Sequence, residues 1–240
     1  MKQTNLTVKT NLKLTDGVYE LKLTGDVGKL FPGQFIEIAL TGFYLRRPFG
    51  VCDCTENELT VLYRVQGRGT EYMTSLKKGD AVNCLLGLGN GFRLDAEKPL
   101  IIGGGMGIAP LYYLAKYFDG KGKRPLAVLG FKNKSEAFYV GQFEKYADVT
   151  VATDDGSLGF KGNVLDALKA LNADYGFYYA CGPEIMLKKL SEYDARGELS
   201  LEARMGCGFG ACMGCSIQTT DGVKRVCREG PVFSAGEVLF

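Results

Sequence analysis

Four cysteines toward one end of this 240-residue chain stand at spacings suited to metal ligation. Cys207, Cys212, Cys215 and Cys227 are separated by four, two and eleven residues. C-x4-C-x2-C followed by a distant cysteine is the spacing of plant-type [2Fe–2S] ligation. The requirement is geometric: a compact loop must aim three sulfurs at one small inorganic core, and its backbone must pass close enough to donate N–H groups to sulfur. Gly206, Gly208, Gly210, Ala211 and Gly214 permit those turns. The fourth thiolate arrives from a separate strand, VKRVC (223–227). Four thiolates complete the coordination of both irons and leave no position for water. A structural zinc site with four thiolates and unligated thiols are the competing readings, but zinc knuckles favour two separated C-x2–4-C pairs, which this pattern is not. Cys52, Cys54 and Cys84 read as packing residues, with Cys52 and Cys54 alternating along one strand and facing the same side. The chain has no histidine, which removes Ser-His and Cys-His catalysis and Rieske-type iron.

A second kind of chemistry is written in glycine. The apolar run PLIIG (99–103) enters GGGMGIAP (103–110). A direct strand-to-helix turn of this composition lets backbone approach a ligand and aims helix N–H groups at an anion such as a pyrophosphate. The sequence does not match G-x-G-x-x-G, since position 108 is Ile, so a tight turn without a ligand stays an equal reading. TDDGSLGFKG (153–162) and ACGP (180–183) end two further apolar runs, bringing Asp154, Cys181 and Gly182 to the ends of strands, where open α/β sheets bind ligands. Cys181 also reads as a small core residue. Earlier in the chain, LRRPFGVCD (45–53) pairs two arginines with a proline and an aromatic ring, and YRVQGRGT (63–70) places Arg64 before a Gly-x-Gly-Thr turn. Arginine suits bidentate phosphate binding; the bland alternative is solvated arginine on barrel strands.

These residues need elements to hold them. VYELKLT (18–24), QFIEIAL (34–40), LTVLYRV (59–65) and AVNCLLG (81–87) predict short strands bounded by turn formers, hence a small β barrel or sandwich over residues 1–97. From Pro99, strands at 99–103, 125–131, 148–154 and 175–181 alternate with helical patterns at 109–119, 163–172 and 183–193. That alternation predicts a parallel sheet covered on both faces, over 98–200. The cysteine-bearing segment, 201–240, forms a third part.

Bulk properties exclude other classes. Apolar residues make up 46% of the chain, and 29 basic against 27 acidic residues give a net charge of +2. That balance argues against nucleic acid or an anionic membrane as partner. No apolar run approaches the ~18–20 residues of a membrane helix, and MKQTNLTVKT lacks a signal-peptide core. The expectation is a cytoplasmic protein, where clustered thiols serve as ligands rather than disulfides.

Taken together, the barrel with R-P-aromatic and Y-R…G-x-G-T motifs, followed by GGGMGIAP and CGP, resembles the ferredoxin reductase family of flavoproteins. The resemblance implies that Arg47, Pro48, Phe49 and Gly50 line the flavin of FAD, that Leu62, Tyr63 and Arg64 continue that wall, and that Gly69 and Thr70 hold the pyrophosphate. It places the nicotinamide nucleotide, NAD, against Gly103, Gly104, Gly105, Gly107, Asp154, Cys181 and Gly182. The family usually carries Ser or Thr where this chain has Gly50, so a backbone group must take that hydroxyl's place. With SLEARMGCGFGACMGCSIQ…VKRVCREGPVF added, nearly the whole chain is similar to the electron transfer subunits of class 1B, NAD-dependent dihydroorotate dehydrogenases. That implies a relay in pyrimidine biosynthesis: electrons from dihydroorotate, taken up on the FMN of a catalytic partner subunit, cross the four-cysteine cluster to FAD and leave as hydride to NAD+. The assembly would be a heterotetramer with two copies of each subunit. Related subunits serve NAD(P)-linked hydrogenases, sulfite reductases and ferredoxin-dependent transhydrogenases, and a zinc-stabilised binding module is the reading from another class. The lysines of GFKNKS (130–135) leave NAD against NADP open to the residues alone.

Overall fold

The computed structural model describes residues 1–240. Its first half is an antiparallel sheet of seven strands: β1 (Lys2–Thr15), β2 (Val18–Thr24), β3 (Phe35–Ala39), β4 (Arg47–Gly50), β5 (Asp53–Cys54), β6 (Glu58–Arg64) and β7 (Ala81–Leu88). The spatial order is β4-β3-β7-β1-β2-β6-β5. The two outer strands are consecutive in sequence, so one segment, 47–54, closes the curled sheet. Its first part pairs with β3 and its last with β6. At the crossover the Val51 N–H bonds the Gln34 carbonyl and the Cys52 N–H bonds the Thr60 carbonyl, both at 3.0 Å. This crossover corrects the expected alternation of Cys52 and Cys54. The strand is interrupted at 51–52, so Cys54 packs in the barrel core with Leu59 and Val61, while Cys52 packs with Leu62 against the second half. The long first strand was not legible as one. It carries buried residues only at Leu6 and Val8, and serves two neighbours by pairing first with β7 and then with β2.

A short helix, α1 (Arg68–Met73), precedes β7. The second half contains β8 (Pro99–Gly104), α2 (Ile108–Asp119), β9 (Leu126–Phe131), α3 (Val140–Phe143), β10 (Asp148–Thr153), β11 (Phe160–Lys161), α4 (Val164–Leu171), β12 (Phe177–Cys181), α5 (Glu184–Tyr193) and β13 (Gly197–Ser200). These strands form a parallel sheet in the order β11-β10-β9-β8-β12-β13. Each strand is apolar because helices cover both faces: Ile101 and Leu129 pack with α2, Ile102 and Val128 with α4 and α5. Asn163 accepts the N–H groups of Leu165 and Asp166, capping α4.

The tail is not a detached module. Its hairpin, β14 (Ser216–Thr219) with β15 (Gly222–Arg225), is followed by β16 (Val232–Ser234), which adds antiparallel to β13 as the edge of the α/β sheet. The two halves are also fastened directly. Lys116 of α2 donates to both carboxylate oxygens of Asp53, at 2.8 and 2.9 Å, and the buried Tyr139 hydroxyl donates to Glu20 at 2.5 Å. No helix is long and apolar enough to cross a membrane.

Candidate functional site

Two clefts open between barrel and sheet. The smaller, about 280 Å³, is lined by Arg47, Pro48, Phe49, Gly50, Leu62, Tyr63, Arg64 and Thr70 from the barrel and by Pro110, Cys181 and the stretch Ser200–Ala203 with Met205 from the other half. The larger, about 960 Å³, is lined by Gly104, Gly105, Gly107, Lys132, Asp154, Gly182 and the first turn of α5. The two meet at Arg64, Gln66, Met106, Leu201 and Glu202. Sizes of several hundred Å³, an apolar lining and a few placed polar groups suit bound cofactors.

Most of the residues expected from the sequence therefore converge, with exceptions that have physical reasons. Gly103 lines neither cleft; a Cβ there would stand 2.7 Å from the Ile108 side chain, so this glycine serves the packing of α2 on β8. Gly69 lies beneath Arg47, whose Nε would be 2.5 Å from an added Cβ, and is absent from the cleft wall. Thr70 is on the wall, but its hydroxyl shapes the turn: it accepts the Gln66 N–H at 2.9 Å and donates to the Gly67 carbonyl at 3.1 Å. Tyr63 turns its hydroxyl away, donating to Asn11 at 3.0 Å inside the barrel, where burial pushes its pKa up to about 12. Its ring stacks on Tyr19 and meets Phe49 edge-on. Cys181 and Gly182 divide between the clefts, the cysteine lining the smaller and the glycine the larger. Burial raises the Cys181 thiol well above its ordinary value, so it is not a thiolate nucleophile. Gly50 lies against Pro110; an added Cβ would be 3.1 Å from that ring. Ser200–Met205, Met106 and Gln66 went unassigned from the sequence. The position of 200–205 directly before Cys207 was the available signal.

The cysteine loop follows at once. Cys207 and Cys212 are near the surface, whereas Cys215 and Cys227 are buried among Phe35, Leu85, Leu88, Val226 and Phe233. Backbone N–H contacts link the cysteines two and two, Cys212 with Cys207 and Cys227 with Cys215. The Ala211 and Cys212 N–H groups donate to the Cys207 sulfur at 3.2 and 3.4 Å, and the Cys227 N–H donates to the Cys215 sulfur at 3.4 Å. Burial opposes ionisation of Cys207, but N–H donation from Cys212 and Phe209 outweighs it and takes the thiol down to about 6. Burial and the neighbouring Cys215 push Cys227 the other way. Four thiols on one loop and the segment after it, with N–H donors to two of the sulfurs, fit a binuclear iron–sulfur core. Gly206 and Gly214 flank the Cys212 sulfur, which would lie 3.3 and 3.5 Å from their Cβ atoms. Gly208 and Gly210 hold left-handed φ angles of 73° and 93°.

Residues 202–239 match the iron-sulfur cluster binding domain of dihydroorotate dehydrogenase B. The chain is similar over its full length to proteins named dihydroorotate dehydrogenase B (NAD(+)), electron transfer subunit. The one from Caldanaerobacter subterraneus is 42% identical over 243 residues, covering 97% of both chains. The one from Bacillus caldolyticus is 40% identical over 250 residues, covering 98% of this chain and 97% of its own. Among solved structures, the NADH-dependent reduced ferredoxin-NADP oxidoreductase, described for flavin-based electron bifurcation, superposes with a TM-score of 0.89. It is 30% identical, with 98% of this chain and 89% of that chain covered. Phthalate dioxygenase reductase shares the fold, with a TM-score of 0.72 at 14% identity over 91% of this chain and 87% of its own.

Proposed function

This chain belongs to the electron transfer subunits of dihydroorotate dehydrogenase B (NAD(+)), and from that membership we propose that it relays electrons between a dihydroorotate-oxidising catalytic subunit and NAD+. One observation carries the reading. The segment Ser200–Met205 walls the smaller cleft, and Cys207 follows Met205 by two residues, a span of at most about 7 Å. The cleft and the thiolate loop are thus consecutive stations on one piece of chain. Bound FAD exchanges hydride with a nicotinamide and single electrons with an iron–sulfur centre, which is the chemistry a relay needs.

The chain's own residues do the positioning. Arg47, Pro48, Phe49, Gly50, Leu62 and the Tyr63–Arg64 backbone form the flavin wall, and Thr70 holds the turn that meets the pyrophosphate. Gly104, Gly105, Gly107, Asp154 and Gly182 receive NAD in the larger cleft, and the junction at Arg64, Met106 and Glu202 is where the two cofactors approach. Cys207, Cys212, Cys215 and Cys227 hold a [2Fe–2S] cluster. No general base is required of this chain. The partner carries FMN, and the assembly holds two copies of each subunit. Cys212 is exposed, and beside it Phe209 and Met213 are 47% and 51% exposed, a surface of the kind enriched at protein interfaces. The parts are a flavin-binding barrel (1–97), a nucleotide-binding α/β unit (98–200) and a cluster segment (201–240) whose last strand completes the α/β sheet.

Cys212→Ser tests the relay. NADH should still reduce the bound flavin at the wild-type rate, while electron passage to or from the catalytic subunit falls to background in anaerobic stopped-flow. Unchanged rates for both steps would sink the relay. The bifurcating oxidoreductase at 30% identity supports a second reading, a flavin/iron–sulfur subunit serving a ferredoxin-linked partner. Mass spectrometry of the chains that co-purify anaerobically separates the two. Stoichiometric flavin, iron and sulfide would eliminate a zinc-stabilised binding module.

A further inference from the structure

Strand β3 alternates as a half-buried strand does. Ile36 and Ile38 enter the barrel core, while Phe35 and Glu37 point to the outer face. On a bare barrel Glu37 would be an ordinary solvated carboxylate. Here the tail is laid over that face. Phe35 and Leu85, the residue opposite Glu37 on β7, pack with Cys215, Val226 and Cys227. Glu37 is left 1% exposed, and neither carboxylate oxygen has a hydrogen-bond partner. Directly above it is Gly208, next to the ligand Cys207; a Cβ on Gly208 would stand 2.2 Å from the Glu37 carboxyl. Arg46 attracts Glu37, but its hydrogen bonds go to the Asn83 side chain at 2.6 Å and carbonyl at 3.3 Å. A buried carboxylate without partners opposes folding, so stability does not account for its presence.

We infer that Glu37 is a positioning residue for the electron rather than for the fold: its charge, fixed beneath the loop of Cys207, Cys212 and Cys215, lowers the reduction potential of the group those thiolates hold. The inference rests on the cluster assignment above. The physics is Coulombic. One more electron on a four-thiolate iron–sulfur core increases its negative charge, and a carboxylate buried against the loop disfavours that state, with little water between to screen it. Glu37 is also the cross-strand partner of Pro48 in the flavin wall, but its carboxyl lies under Gly208 of the cysteine loop, so the iron–sulfur group should respond more strongly than the flavin.

The test is an anaerobic redox titration of the holoprotein at alkaline pH, where the carboxyl is ionised. The iron–sulfur signal is followed by EPR and the flavin by absorbance. Glu37→Gln keeps the shape and removes the charge; Glu37→Met removes the polar atoms as well. Both variants should retain wild-type iron and sulfide. In both, the iron–sulfur midpoint should move to higher potential, and by more than the flavin midpoint moves. An unmoved iron–sulfur midpoint in Glu37→Gln overturns the inference, and that variant decides alone if Glu37→Met fails to fold. Wild-type protein lacking iron and sulfide would instead sink the cluster assignment, and this inference with it.

Discussion

The chain has two glycine-rich loops, and they use glycine for different reasons. In the strand–helix loop at 103–107 the constraint is protein packed on protein. A Cβ on Gly107 would stand 2.3 Å from the Cys181 carbonyl oxygen, and one on Gly104 would stand 2.8 Å from the Met186 sulfur. These glycines let the ends of β8 and β12 close on each other, which brings both strand ends to the clefts. Only Gly105, with φ 53° and open space around it, has the freedom expected of a ligand-facing loop. In the cysteine loop the constraint is curvature together with room for sulfur and for the movable side chains of Glu37 and Arg228. Gly208 and Gly210 sit in left-handed conformations, and Gly206 and Gly214 leave space beside the Cys212 sulfur. Glycine content therefore marks a crowded or curved backbone, and what crowds it separates a cradle from a scaffold.

Substitution by alanine turns the contrast into numbers. Gly107→Ala carries the largest expected effect, because the colliding atoms are backbone and cannot rotate aside. A loss of about 3 kcal/mol or more in chemical denaturation is expected, with weakened NADH binding. A loss below about 1 kcal/mol would mean that the two strand ends are not packed as described. Gly208→Ala comes next. The atom in its way is the end of the Glu37 side chain, which can move, but the residue must also hold φ 73° at about 1–2 kcal/mol. Iron and sulfide content should fall while flavin content stays level. Pairing it with Glu37→Ala should restore part of the iron, since the shortened side chain vacates the space. No recovery in the double variant would show that conformation alone demands glycine there. Gly105→Ala should be mildest, at about 1 kcal/mol from its left-handed φ with no collision to add. Its effect should fall on nucleotide affinity more than on stability. A stability loss matching that of Gly107→Ala would erase the distinction between the loops.

Other residues follow the same logic. Arg225 ties the hairpin to the cysteine loop by donating to the Gly210 carbonyl at 2.6 Å, and it pairs with Glu229. Nothing local in VKRVCRE announces that role. The lysine of α2 that grips Asp53 reads as one more solvated charge until the barrel is placed beside it. Glu37 is the sharpest instance, since an outward residue of an alternating strand is by default exposed.

Local and periodic information was enough for much of this protein. Apolar alternation marked β2, β3, β6 and β7, continuous apolar runs marked the parallel strands, and the helices α2, α4 and α5 fell within a residue of their expected bounds. The cysteine spacing points to the proposed ligand set, because a cluster's demands are met within one loop and one following strand. The sequence could not mark the long polar β1, the crossover that splits Cys52 from Cys54, the return of β16 to the α/β sheet or the burial of Glu37. Each depends on a partner distant in the chain. Which face of a strand is covered, and by what, is decided by the segment that packs on it, and only the folded structure brings that segment there.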